Sequence, residues 1–327
     1  MFFLINGILT ADFTPPVLNN HLTGSSYFSD LFMKYFPDEM TNTFHSENYY
    51  IKEESEIFPA VTTLLFFNQS YIRRDSNSFY LNIDLLSGKY MDYGELRSKC
   101  VNIYYSFALK NEMEIGAEGI ISETVNDPQP NYYYLISSYS LFGRFRWRSI
   151  SFLAKYGLIS SKEVSQAWNL YMRIKPVENL TLDLFAGNFP DFGNLSGFIE
   201  YVMSSSYPLH LAASLSFSLL DILDLYLTSH AVPGENTEWE VTFGISKRFY
   251  FQYFIGDSKE VKRLFISVPF SGRYTVRFGP EMYEKYYLTL IFEENVKKYR
   301  LTFGVKNTFD LDIKKNVSLF LRYTYFI

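Results

Sequence analysis

The sequence predicts an all-β chain folded as a single antiparallel transmembrane β-barrel of about 14–18 strands with a short N-terminal extension. Three observations predict it. From about Ile57 to the end, segments of alternating apolar and polar residues follow one another with turn residues between them. Successive side chains of a strand point to opposite faces, so such alternation reports two faces meeting two environments. Second, the chain holds 28 Tyr and 32 Phe, and aromatics make up 19% of it. These residues favour strands, and Tyr suits a boundary that is apolar at one end and wet at the other. Third, no segment makes a convincing membrane helix. The uncharged stretch Tyr201–Leu220 is long enough to cross, but it carries six Ser, Pro208 and His210 and alternates after Pro208, so it reads as a strand pair.

The first part of the chain is of another kind. MFFLINGILTADFTPP has a short apolar run and a small residue at Ala11 but no basic leading region. It reads as the remainder of an export signal, a first strand or a tail, the signal being favoured because a membrane barrel must be exported. Residues 12 to about 55 hold a Pro pair, Asn and Ser clusters, an amphipathic stretch near Tyr27–Phe36 and the run Lys52-Glu53-Glu54. Residues 1–55 are therefore assigned to a signal remnant, extension or lumen plug, and 56–327 to the barrel.

The strands follow in order. Val101, Ile103, Tyr105, Phe107 and Leu109 share a face, with Tyr104 the one apolar exception opposite them. After Lys110-Asn111, Met113, Ile115, Ala117 and Gly119 oppose Glu112, Glu114, Gly116 and Glu118. Trp168, Leu170, Met172 and Ile174 lead to a turn at Lys175–Asn179, beyond which Leu180, Leu182 and Leu184 resume. Leu209 to Leu219 alternates without a break against His210, Ala212, Ser214, Ser216 and Ser218. Leu223–Leu227, Trp239–Ile245, Tyr274–Phe278 and Tyr299–Val305 repeat the pattern. Short turns (Lys110-Asn111, Ser246–Arg248) alternate with longer connections (Glu123–Asn131, Ser160–Ser165, Asn188–Gly197, Pro233–Thr237), as on the two rims of a membrane barrel. Placing Lys175–Asn179 on the short rim conflicts with counting back from the C-terminus, so one strand near Tyr201–Pro208 or Lys306–Asn316 is expected to be misassigned.

Alternation also suits a soluble sandwich. The membrane reading is preferred because the polar face is rich in Ser, Thr, Gly and Ala, and because aromatics gather at strand ends (Tyr132–Tyr134, Phe249–Phe254, Tyr286, Tyr287) where interfacial girdles lie. The final segment VSLFLRYTYFI places Leu319, Leu321, Tyr323, Tyr325 and Ile327 on one face. It resembles the C-terminal signature of bacterial outer-membrane proteins, with Phe326 penultimate where that class ends on Phe or Trp. The resemblance, over about residues 57–327, is to a broad porin-like class. It implies a location in the bacterial outer membrane, lipid as surroundings and recognition of the last strand by the barrel-assembly machinery, with homo-oligomerisation left open.

The candidate functional residues are charged and lie on the polar face. Arg144, Arg146 and Arg148 are spaced by two, with Phe145 and Trp147 between them. Facing lipid at mid-depth they would cost about 2–4 kcal/mol each, so they are assigned to the lumen, with a bulge near Arg148-Ser149 where the parity flips. Glu112, Glu114 and Glu118 form an opposing ladder, expected two strands away at about 10 Å. Glu238 and Glu240, with Arg273 and Arg277, form a second such pair. All ten are expected to line a pore for small polar solutes, or else to brace the wall as ion pairs. Asp84, Asp183 and Glu200 read as isolated inward acids. A net charge of −5 gives no reason to propose nucleic acid. The single Cys100 rules out an internal disulfide. Gly-x-Ser-x-Gly, His-Glu-x-x-His and phosphate-binding glycine loops are all missing, so neither an enzyme nor a cofactor is expected. The leading expectation is a porin-like channel for passive diffusion. The alternatives are a non-conducting structural, assembly or polysaccharide-export barrel, and a soluble β-rich binding protein.

Overall fold

The computed structural model describes residues 43–53, 61–74, 76–90, 94–110, 112–127, 133–160, 164–188, 209–220, 222–231, 233, 237–246, 248–256, 259–282, 286–308 and 317–326. The strands are β1 (Thr43–Glu53), β2 (Val61–Arg74), β3 (Asn77–Tyr90), β4 (Gly94–Lys110), β5 (Met113–Asp127) and β6 (Tyr133–Trp147). They continue as β7 (Ile150–Ser160), β8 (Val164–Val177), β9 (Leu180–Gly187), β10 (His210–Leu219), β11 (Leu223–Ala231) and β12 (Glu238–Ile245). The last six are β13 (Phe249–Gly256), β14 (Lys259–Pro269), β15 (Tyr274–Met282), β16 (Tyr286–Val296), β17 (Tyr299–Thr308) and β18 (Val317–Phe326). Among the described residues no helix is long and apolar enough to cross a membrane.

Each strand pairs antiparallel with the one before and the one after it, and β1 pairs with both β2 and β18, from Thr43↔Phe326 to Lys52↔Val317. The eighteen-stranded sheet therefore closes on itself and has no edge. Thr43–Glu53, which the sequence assigned to the extension, is the closing strand. Its outward positions include Ser46 and Asn48, which break the apolar stripe by which a strand is legible in the sequence. The possible signal and the amphipathic stretch near Tyr27–Phe36 lie outside the described residues.

The connections 75–76, 111–112, 148–149, 178–179, 220–222, 246–248, 270–273 and 297–298 fall on one rim, together with Thr43 and Phe326. The turn at 178–179 is thus on the same rim as the C-terminus, which removes the parity conflict. The other rim holds the longest connection, 188–209, but also one of only two residues, 257–258, so the two rims differ less than expected. The predicted connection from Glu123 begins later, because β5 continues to Asp127. Of the expected strand pair Tyr201–Leu220, only His210–Leu219 is described as a strand.

A ring of backbone bonds ties the short-turn rim together. The Glu112 carbonyl accepts from Arg146 N at 2.7 Å, Ser149 from Lys175 N at 2.7 Å, Asn179 from Ser218 N at 2.9 Å and Ile222 from Ser246 N at 2.7 Å. The same link joins Arg248 to Ser267 N at 2.6 Å, Arg273 to Asn295 N at 2.7 Å and Lys298 to Phe326 N at 2.9 Å. One carbonyl of each of these turns is thereby met by a residue beyond its own hairpin.

The parity flip after Arg148 is a two-residue hairpin turn, not a bulge. Trp147 and Ile150 face each other across it and so share a face. Arg148 has φ 50, in the left-handed region that hairpin turns of this length use and side chains disfavour. Leu220 and Ser246, on the same rim, have φ 49 and 51. Register shifts lie in the two neighbouring hairpins of this rim, between Ala108 and Lys110 in β4–β5 and between Ile174 and Val177 in β8–β9. Replacing Arg148 by Gly removes the left-handed penalty and should raise stability by about 1 kcal/mol. Urea unfolding of the refolded protein in vesicles measures this, and a lowered midpoint would show that the cation over Trp147 matters more than the backbone strain.

Candidate site: the inner wall of the barrel

The two faces of the sheet differ in kind. Outward side chains are apolar and exposed, among them Ile103, Phe107, Ile121, Leu141 at 71% exposure, Leu158, Leu290 and Phe303. The inward positions between them hold Ser, Asn, Thr, acids, bases and a set of aromatics, largely buried. Tyr104, the apolar exception in its strand, points inward and stacks on Tyr80 with ring centroids 5.0 Å apart.

Across β3 to β9 the inner wall carries the expected small polar groups, among them Ser78, Ser106, Ser122, Ser138 and Ser140, but it is also filled by large aromatic side chains. Tyr80, Tyr104, Phe142, Leu153, Tyr171 and Phe185 form one buried cluster. Phe142 meets Tyr104 edge-on at 5.7 Å, and Tyr171 meets Phe185 at 4.9 Å. Phe142 reaches Tyr104 by lying across Gly116, where a Cβ would overlap its ring and come within 2.8 Å of Ser106 Cβ. A Gly116→Val change should therefore displace Phe142 and cost about 1–3 kcal/mol. Tyrosine and tryptophan fluorescence during denaturation reads the loss, and full stability in this variant would show that the ring has another place to go.

Ion pairs flank the aromatic cluster. Glu114 of β5 and Arg144 of β6 are directly opposed and form a buried salt bridge, with the Ser106 hydroxyl also donating to Glu114. The acidic and basic ladders thus sit on neighbouring strands, not two strands and about 10 Å apart as predicted from the usual strand spacing. Glu118 bridges to Lys155 of β7 across Ser140 of β6, both side chains fully buried. Arg173 of β8 holds Asp183 of β9 with two bonds, Nε to Oδ1 at 2.7 Å and Nη2 to Oδ2 at 3.1 Å. Asp183 is therefore paired, not isolated.

Three of the ten candidate residues lie in turns at the rim instead of in the wall. Glu112 is exposed in the turn before β5. Arg148 is exposed, with its guanidinium 5.2 Å from the Trp147 ring. Arg273 precedes β15 and donates from Nε to Glu294 at 2.7 Å, over the Tyr274 ring at 5.3 Å. The Glu294 bond pushes its guanidinium above the ordinary arginine value. Each lies one residue beyond a strand end, where the spacing by two continues without the strand. Arg146 is half-buried with the parity of Arg144, and Arg277 faces inward with Nη1 3.6 Å from Glu293. The side chains of Glu238, Glu240 and Asp84, and all of Glu200, lie outside the described residues. Arg277 meets Glu293 on the adjacent strand.

Sequence reasoning missed Lys155, Arg173, Glu293 and Arg322. Lys155 sits in SFLAKYGLI, where both faces are apolar and the period is hidden. Arg173 stands between Met172 and Ile174, close to the Lys175–Asn179 turn, where the polar residues of strand and turn run together. Each is recoverable from strict parity once the strand ends are known. Removing one partner of a buried pair leaves a lone charge and costs about 3–5 kcal/mol. Glu118→Gln should show that loss, and Lys155→Met added to it should restore most of it. A double-mutant cycle by urea titration decides, and additive losses would mean the two do not interact.

No protein-family model matches the chain, and no curated protein matches it. Solved structures do show similarity. CdiB from Acinetobacter baumannii is 11% identical, with 88% of this chain and 60% of that one covered at a TM-score of 0.45, so the chain spans three-fifths of that protein's length. OccD3 (OpdP) from Pseudomonas aeruginosa is 11% identical, with 87% and 90% covered, at 0.45. A variant of the Rh. blastica porin is 7% identical, with 88% and 99% covered, at 0.41. The barrel itself rests on the strand pairing described above.

Proposed function

We propose that the chain is a bacterial outer-membrane barrel that lets small polar solutes diffuse passively through its lumen. The observation that carries this reading is the inside-out distribution of side chains on an edge-free sheet. Soluble domains rarely expose a continuous apolar band of this kind, whereas hydrocarbon requires both the band and the closure. A barrel of this strand number encloses more space than its own side chains need.

The path is assigned to the side of β10, where the inward Ser214, Ser216 and Ser218 are small and half-buried, whereas Tyr171 across the filled sector is 0% exposed. Insertion with the help of an assembly machinery that reads β18 belongs to the same proposal. A non-conducting structural barrel is the second reading, favoured by the ion pairs and aromatic block of β3–β9.

Heat-modifiable migration on detergent gels tests the barrel, and its absence would return the soluble reading. Planar-bilayer recording of the refolded protein tests the pore. Discrete conductance steps are expected, and Ser216→Trp should lower them while Leu141→Ala on the outer wall leaves them unchanged. A protein that is heat-modifiable yet silent in the bilayer would establish the non-conducting reading.

A further inference from the structure

At mid-depth on the outer wall of β1 and β2, polar side chains stand where the rest of the surface is apolar. Ser46 and Asn68 are register partners, and the Ser46 hydroxyl donates to Asn68 Oδ1 at 2.9 Å. Asn48 Nδ2 donates to Ser46 Oγ at 3.3 Å, and Ser70 follows on the same face of β2. All four are half-buried. Their neighbours at the same level are Leu321, paired to Asn48, and Ile83, paired to Asn68, both apolar and exposed. Two amides and two hydroxyls can make many more hydrogen bonds than these two contacts use. In hydrocarbon the remainder has no solvent partner.

We propose that this patch is the contact through which a second copy of the chain docks, giving a two-fold dimer in the membrane. The inference rests on the membrane reading above. Two copies inserted the same way can be related only by an axis along the membrane normal, so residues meet at equal depth. A two-fold axis through the patch brings Ser46 and Asn68 against Ser46 and Asn68 of the second copy. Such a contact is isologous and needs chemistry that pairs with itself. Serine and asparagine each donate and accept and carry no charge, so the patch meets that condition, whereas a patch of one charge sign would not. Hydroxyl and amide side chains serve as the adhesive between membrane segments for the same reason. Exposed Phe44 and Leu64 flank the patch and supply its apolar surround.

The full chain carrying Ser46→Cys, refolded into phosphatidylcholine vesicles at low protein density, should form a disulfide-linked dimer on mild oxidation. Leu264→Cys, exposed on the outer wall of β14, should not. Cys100 is buried and can stay. Asn48→Leu with Asn68→Leu should weaken dimerisation about tenfold, read from the monomer–dimer ratio by native mass spectrometry. Equal cross-linking at positions 46 and 264, or an unchanged ratio in the leucine variant, overturns the proposal while heat-modifiability persists. Loss of heat-modifiability in the unsubstituted chain instead overturns the membrane reading on which the proposal stands.

Discussion

The pairing of β1 with β18 is the constraint on which everything else depends. Without it the sheet would present two rows of unpaired N–H and C=O groups, each costing several kcal/mol in an apolar surround. With it, the backbone needs nothing from outside. The side chains are then free to sort by face alone, apolar outward and polar inward, and the usual logic of a hydrophobic core is reversed.

That reversal makes the inner wall the energetically delicate part. Arg144, Lys155 and Arg173 are buried where no bulk water screens them, so each is matched to an acid on the adjacent strand or the next but one. The aromatic cluster between the pairs excludes water from them and fills one side of the barrel. Rigidity on the β3–β9 side and the small inward serines of β10 are two aspects of one division of the inner wall.

How legible this was depends on what each residue had to report. Strands with an unbroken outer stripe, such as His210–Leu219, were readable from alternation alone. The strand Thr43–Glu53 was not, because Ser46 and Asn48 interrupt that stripe. Arg148 and Glu112 read as wall residues in the sequence because alternation carries no mark of where a strand stops, and a two-residue turn preserves the spacing by two. Tyr104 looked like an irregularity and is an inward stacking partner. Which acid meets which base depends on register, and register follows from turn lengths that a sequence shows only once the strand ends are placed.

All but one of the strand pairings join neighbours in sequence. Hairpins of this kind bring together residues a few positions apart and cost little chain entropy to close. The seam between Thr43–Glu53 and Val317–Phe326 is the exception, linking nearly the two ends of the described chain. It cannot form until both terminal strands are present, and until then each is an open template for another strand. Ring closure is therefore the slow, order-setting event in the life of this molecule, and the two strands that perform it are the ones a partially made barrel must keep shielded.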